Sequence, residues 1–333
     1  MVAFAIADDG HWQRLGPEAE AQRPCLNYAA EGVCNWMLQH DDPASYCVSC
    51  RTTHIIPTLG KPENRKYWAL MEQAKRRLAY TLLSRRLPMP SRDEDPQHGI
   101  SFQFLEEVSP QDRVLTGHDE GVITLNIAEA DDAMREKMRT SMREPYRTLL
   151  GHFRHESGHY YWDRLVNDTA WIDEYRSLFG DERQDYEEAL KTHYANPILD
   201  WQASFISAYA SSHPWEDWAE CWAHYLHMVD GLETAQAWGL RLERAAAEGE
   251  SVIATALEAQ ATTVQGSVIE QWLPITQFSN AMNRSLGLQD AYPFVVPAPV
   301  VNKLGFIHRI VSAAANGEAP MNFSPAPSLL PAG

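Results

Sequence analysis

Apolar and polar positions alternate with little regularity over residues 1–58, where Pro, Asp and Cys punctuate the chain, and become strongly patterned beyond them. Pro57, Gly60 and Pro62 mark the boundary. Over 63–87 apolar residues recur at helical spacing, at Trp68, Met71, Ala74, Leu78 and Leu82, which predicts a long amphipathic helix ended by Pro88 and Pro90. Its Lys75-Arg76-Arg77 and Arg85-Arg86 runs read as a solvated face. A β region follows, with alternation over 100–105, a short strand over 113–116 and a strong one over 121–127, the last two joined by the turn-rich segment 117–121. The pattern is helical from Ala128, and a helix is predicted over 145–166 with Pro145 at its first position. Further helices are predicted over 183–194, 200–211, 216–229, 232–247 and 303–314. Strands come early and helices late, so the expected class is α+β, with a small module over 1–58 and a larger domain over 59–333.

Four of the five cysteines fall in the first segment as C-x8-C-x12-C-x2-C: Cys25, Cys34, Cys47 and Cys50. The two-residue spacing of the last pair lets two thiolates from one tight turn share a metal, and the first two can complete a tetrahedral site. Four soft thiolates suit a structural zinc ion, which staples a segment too short to build its own core. The alternatives are two disulfides, disfavoured in a reducing compartment, or four free thiols. Cys221, far downstream among apolar neighbours, reads as a small core residue.

Residues 155–159 read His-Glu-Ser-Gly-His, an H-E-x-x-H. On a helix His155 and His159 leave the same face and can grip one ion, while Glu156 can reach a water beside it and take its proton. The flanking Phe153, Tyr160, Tyr161 and Trp162 argue for a buried helix. Gly158 costs about 1 kcal/mol of helix propensity, tolerable where it makes room for a neighbouring element. His152 is a competing ligand by position, though packing accounts for it more simply. A catalytic zinc needs a third protein ligand and an open position. Glu216 and Glu220, four apart in Trp215-Glu-Asp-Trp-Ala-Glu220, share a helix face: one can bind metal and the other hold the free N–H of a histidine ligand. An acidic first turn favoured by the helix dipole explains Glu216 and Asp217 but not Glu220. His224 is a fallback ligand.

Composition narrows the rest. At 333 residues, 44% hydrophobic and 22% charged, the chain has ordinary globular usage. No run approaches the length of a membrane helix, and the start lacks a basic leader region, so no membrane association and a cytoplasmic location are expected. A net charge of −17 repels phosphate backbones, which argues against a nucleic-acid partner.

At HExxH followed by E-D-x-A-E the chain resembles the gluzincin metallopeptidases, and more narrowly their lethal-factor-like branch. That resemblance implies Glu216 as third zinc ligand, Glu220 as support for a histidine, and Tyr209, seven residues before Glu216, as hydrogen-bond donor to the developing oxyanion. Through CNWMLQHDDPASYCVSCR, LTGHDEGVITLNIAEADD, EPYRTLLGHFRHESGHYYWDRL and SAYASSHPWEDWAECWAHYLH it is similar over most of its length to a bacterial family of zinc-binding metallopeptidases. Members often begin with a zinc ribbon carrying CxxC pairs. This chain has one CxxC, so such an extra ribbon is expected to be absent or truncated. The implied fold is a zincin-like core whose upper sheet presents an edge strand to peptide substrates. Residues 122–127 are the candidate for that edge, with Thr124 and Asn126 sharing its substrate-binding face.

These features predict a zinc-dependent peptidase with one catalytic and one structural zinc, acting on a peptide or protein substrate. The runner-up is a non-catalytic zinc-stabilised binding module with a vestigial HExxH, which would have no reason to keep Glu156. A zinc hydrolase of a non-peptide amide is the third possibility.

Overall fold

The fold is described from a computed structural model covering residues 4–7, 12–15, 20–107, 109, 113–142, 147–245, 251–255, 264–318 and 321–323. Pro145, expected to open a helix, lies outside these residues. Two units divide the described chain, one drawn from Met1–Ser84, Pro88–Met138 and Phe323–Gly333, the other from Arg85–Leu87 and Arg139–Asn322.

The first unit opens with a four-stranded antiparallel sheet in sequential order: β1 (Phe4–Ile6), β2 (Trp12–Arg14), β3 (Ala21–Pro24) and β4 (Met37–Gln39), with the single turn α1 (Leu26–Ala29) between the last two. Strands of three or four residues are too short to show an alternating pattern, which is why the sequence shows no periodicity there. A second sheet contains β5 (Thr53–Ile55), β6 (Ser101–Leu105), β7 (Gly117–Asp119) and β8 (Val122–Asn126) in the order β5-β6-β8-β7. The helix α2 (Pro62–Ser84) joins the parallel pair β5 and β6, as a parallel connection requires. Its apolar stripe is buried at Trp68, Met71, Leu78 and Leu82, as are Phe102, Phe104, Ile123 and Leu125 of the sheet.

Three expectations are corrected in this unit. Residues 113–116 are not a strand; the strand is β7, in the segment expected to turn. Residues 122–127 do not form an open edge, because β8 lies between β6 and β7, and Gly117 of β7 pairs with Thr124. Asn126 is spent locally: its Oδ1 accepts from Ala128 N and its Nδ2 donates to Glu107. Lys75 and Arg76 are not solvated. Lys75 is fully buried against Glu72 and over the rings of Phe102 and Phe104, and Arg76 donates to the Val33 carbonyl at 2.7 Å. A helix periodicity records where apolar residues fall, and misses a charge buried because a partner waits for it. The helix α3 (Asp132–Met142) then crosses the boundary between the units.

The second unit is mostly helical: α4 (Leu149–Leu165), α5 (Ile172–Phe179), α6 (Tyr186–Ala195), α7 (Pro214–Ala237), the hairpin β9 (Arg241–Ala245) and β10 (Ser251–Thr255), α8 (Val264–Ser285) and α9 (Ala298–Ala315). The helix expected over 216–229 runs on as α7 to Ala237, and the one expected over 232–247 is corrected: its first residues belong to α7 and 241–245 form the strand β9. Gly231 within α7 is a point of close approach: a Cβ there would stand 2.6 Å from the Trp272 ring of α8. The helix expected over 200–211 is absent, replaced by two single 3-10 turns at Trp201–Ala203 and Tyr209–Ser211. Serines are the reason. Ser207 Oγ accepts from Ala210 N, Ser211 Oγ donates to Ala208 O and Ser212 Oγ to Tyr209 O, so side chains take the hydrogen bonds a helix would use. Rings of Tyr175, Phe179, Trp218, Trp222 and Phe306 pack edge-to-face and stacked at the centre of this unit. Cys221 is buried there, as expected.

Candidate metal centres

Among the described residues two groups of side chains could hold a metal ion: Cys25, Cys34, Cys47 and Cys50 in the first unit, and His155, His159 and Glu216 in the second. In each, the ligand atoms all lie within 4.8 Å of one another.

In the cysteine group all four side chains are buried and none is bridged. Cys34 and Cys47 Sγ are 3.8 Å apart, which matches the edge, about 3.8 Å, of a tetrahedron with Zn–S bonds of about 2.3 Å. Backbone amides of Trp36, Cys47 and Cys50 point at the sulfurs of Cys34, Cys25 and Cys47 at 3.3–3.5 Å. Hydrogen bonding among the four sulfurs pulls the Cys25 and Cys34 thiols down and pushes Cys47 and Cys50 up. Four crowded thiols cannot all ionise together unless a cation sits among them, so the donor set fits zinc. Behind it lies a buried polar group from α2: Glu72 faces Cys50 Sγ at 3.9 Å and accepts from Trp68 Nε1 and Thr53 Oγ1, with Lys75 3.2 Å away.

The second group forms where α4 meets α7. Thr148 caps α4 by accepting from Gly151 N, and ten consecutive residues from Phe153 to Trp162 are buried, as befits a helix enclosed on all sides. His213 caps α7: its Nδ1 accepts from Trp215 N while Nε2 donates to Gln184 O, and Pro214 occupies the first helical position. Gly158 sets the spacing of the two helices, since a Cβ there would stand 2.9 Å from Ala219 Cα. Trp218 Nε1 donates to Gly158 O and Trp222 Nε1 to Ser157 Oγ, closing the contact on either side. We predict that Gly158→Ala lowers stability by about 1–3 kcal/mol through overpacking against backbone, more than the helix propensity gained, about 1 kcal/mol. Urea unfolding checks this; an unchanged or raised midpoint would mean the helices part freely.

That contact delivers the chemistry. Glu216 Oε2 lies 3.0 Å from His155 Nε2 and 3.5 Å from His159 Nε2. His155 Nδ1 donates to Glu220 Oε1 at 2.7 Å, and Ser207 Oγ donates to Glu220 Oε2 at 2.6 Å. With Nδ1–H fixed in this way, His155 Nε2 is left as the ligand nitrogen. Burial works against charge on both carboxylates, but the imidazoles outweigh it: Glu220 is held down at about 2 and Glu216 well below the usual range. Two imidazole nitrogens and a carboxylate oxygen are a donor set that suits zinc. Glu156 is buried beside them, and its Oε2 has no hydrogen-bond partner. Trp215 covers His159 with ring centroids 4.0 Å apart, and Tyr209 stands 6.0 Å from the His155 ring.

His152 and His224 are not in the metal group. His152 Nε2 approaches Glu156 Oε1 at 3.4 Å, and the His224 imidazole, lowered to about 4 by burial, meets the Tyr292 hydroxyl at 2.8 Å. Thr124 and Asn126 belong to the other unit. Sequence reasoning missed Tyr186, whose hydroxyl donates to Glu216 Oε1 at 2.6 Å, and Ser207 and Lys303. Asp217, read as a first-turn acid, is buried against Lys303 Nζ at 2.5 Å; burial lifts its carboxyl to about 6 against the pull of that ammonium. The one available signal was Asp217 itself, an acid flanked by Trp215 and Trp218.

Comparison with known proteins adds the context. A family described as "Putative zinc-binding metallo-peptidase" matches residues 64–310, and a zinc-ribbon domain matches residues 1–61. The four-cysteine segment thus matches a ribbon despite having one CxxC. Uncharacterised proteins of Mycobacterium bovis and of two Mycobacterium tuberculosis strains are 43% identical over 330 residues, covering 98% of this chain and 89% of theirs. No solved structure matches the chain significantly. Among the described residues no helix is long and apolar enough to cross a membrane.

Proposed function

The chain belongs to this family of zinc-binding metallo-peptidases, and from that premise we propose that it hydrolyses peptide bonds in a peptide or protein substrate, in the cytoplasm, with one zinc at each of the two centres. The observation that carries the reading is the convergence of His155, His159 and Glu216 beside a buried Glu156 carboxylate with one oxygen uncommitted. Zinc bound there supplies Lewis-acid polarisation of a carbonyl and acidifies water.

The chain's own residues do the rest. Glu156 takes the proton of the attacking water and returns it to the leaving amine. Tyr209 donates a hydrogen bond to the carbonyl oxygen as negative charge develops on it; burial pushes its phenol well up, so it keeps its proton at neutral pH. Glu220 and Ser207 hold His155 in the tautomer that leaves Nε2 available. The four cysteines take the structural ion, and a reducing compartment keeps their thiolates available to it.

The test is zinc content of wild type and Glu156→Gln, each then incubated with a mixed peptide library read by mass spectrometry. The expected result is two zincs in both proteins, with cleavage slowed about 10²–10⁴-fold in the variant. A single zinc in wild type, lost when the four cysteines are replaced, overturns the reading.

A further inference from the structure

Glu216 presents two oxygens, and they are used differently. Oε2 faces the Nε2 atoms of His155 and His159. Oε1 is occupied, accepting from the Tyr186 hydroxyl at 2.6 Å. A carboxylate free at both oxygens can bind an ion through one or both; one whose second oxygen is tied to a phenol offers one.

The packing of α6 accounts for an aromatic ring at this position but not for its hydroxyl. Among the residues of α6 none is buried, and Tyr186 itself is 37% exposed, yet its hydroxyl reaches inward to a carboxylate that is 1% exposed. The approach is held from both directions. Asp185 caps α6 by accepting from Glu188 N at 2.9 Å, and His213, the cap of α7, donates to Gln184 O at 3.2 Å. The Tyr186 ring stands edge-on to His213 and Trp215, with centroids 5.2 and 6.2 Å away. The start of α6 is thereby tied to the start of α7, two residues from Glu216.

We propose that Tyr186 is a positioning residue of the metal centre: by holding Glu216 Oε1 it makes that carboxylate a one-oxygen ligand and keeps a coordination position open for substrate. This rests on the peptidase reading of the site. Tyr186 acts through Glu216.

The experiment is zinc affinity of the full chain by competition with a chelator, for wild type and Tyr186→Phe, with visible spectra of both after cobalt substitution. Phenylalanine keeps the ring and its packing, so unfolding of the metal-free protein should show only the modest loss of one hydrogen bond to a buried carboxylate. The expected result is a 10–100-fold loss of affinity at the weaker site, with the cysteine site unaffected as internal control. The cobalt bands should lose intensity, since a carboxylate binding through both oxygens raises the coordination number. If wild type holds zinc only at the cysteines, the peptidase reading itself fails. If wild type holds two and the variant keeps both affinity and spectrum, the role given to Tyr186 is wrong while that reading stands. Tyr186→Ala guards against a compensating water: it should weaken binding at least as much as phenylalanine, and tighter binding would overturn the proposal.

Discussion

Replacing Lys303 with methionine should lower the stability of the second unit by about 3–5 kcal/mol, the cost of leaving one member of a buried ion pair without its partner. Lys303 Nζ lies 2.5 Å from Asp217 Oδ2, with side-chain exposures of 6% and 0%, and also donates to Ser204 O at 3.0 Å. It sits over the rings of Phe205 and Phe179, so its stem is packed and methionine would fill the same space. What methionine cannot do is satisfy Asp217 or the Ser204 carbonyl. The double variant Lys303→Met/Asp217→Asn should recover part of the loss, because it removes the uncompensated charge, and the difference measures the coupling directly. Urea midpoints at constant slope give the number. A loss below about 1 kcal/mol would put the pair on a level with exposed ion pairs and refute the argument. Ser204 is three residues from Ser207, which holds Glu220, so the damage should also reach zinc retention at the histidines.

Cys47→Ser is the second large effect. One ligand of four is lost, and with it most of an apparent zinc-binding energy that for structural sites runs to about 10–16 kcal/mol at neutral pH. The expected protein holds one zinc and is cut by protease within residues 20–60, while the helices α4 to α7, residues 149–237, survive intact. The injury should extend into α2. Arg76 reaches back to the Val33 carbonyl and Glu72 faces Cys50, so loss of the cysteine centre uncovers a buried charged pair, Glu72 and Lys75, as well as a loop. Limited proteolysis followed by mass measurement decides this. Cleavage rates in 20–60 equal to wild type would mean the segment folds without its ion.

The legibility of the site followed the range of its interactions. His155, Glu156 and His159 could be read because helical spacing alone puts them on one face, and Gly158 because its propensity cost demanded a neighbour. Glu216 and Glu220 could be read as ligand and support from their own spacing, while the role of each and the part of Tyr209 came through resemblance, since nothing in their stretch says which distant group each meets. Tyr186, Ser207 and Lys303 were not legible: each is a common residue type, and its partner is 13 to 86 residues away. The fold shows the same division. The helix α2 and strands β6 and β8 carry clear periods. The N-terminal sheet has strands too short for one, and the 200–211 segment has a helical pattern with which its serine hydroxyls compete.

The contact between Gly158 and Ala219 has a bearing on which ion the second centre accepts. Gly158 lies between Glu156 and His159, and Ala219 between Glu216 and Glu220, so backbone touches backbone in the middle of both motifs. Side-chain contacts can yield by a rotamer; this one has no rotamer to yield. The spacing of the two helices that carry the histidines and the carboxylate is therefore set by main chain against main chain. Zinc bonds nitrogen and oxygen at about 2.0–2.2 Å and calcium oxygen at about 2.3–2.6 Å. Helices held this close favour the shorter bonds, the same direction in which the nitrogen and oxygen donors point.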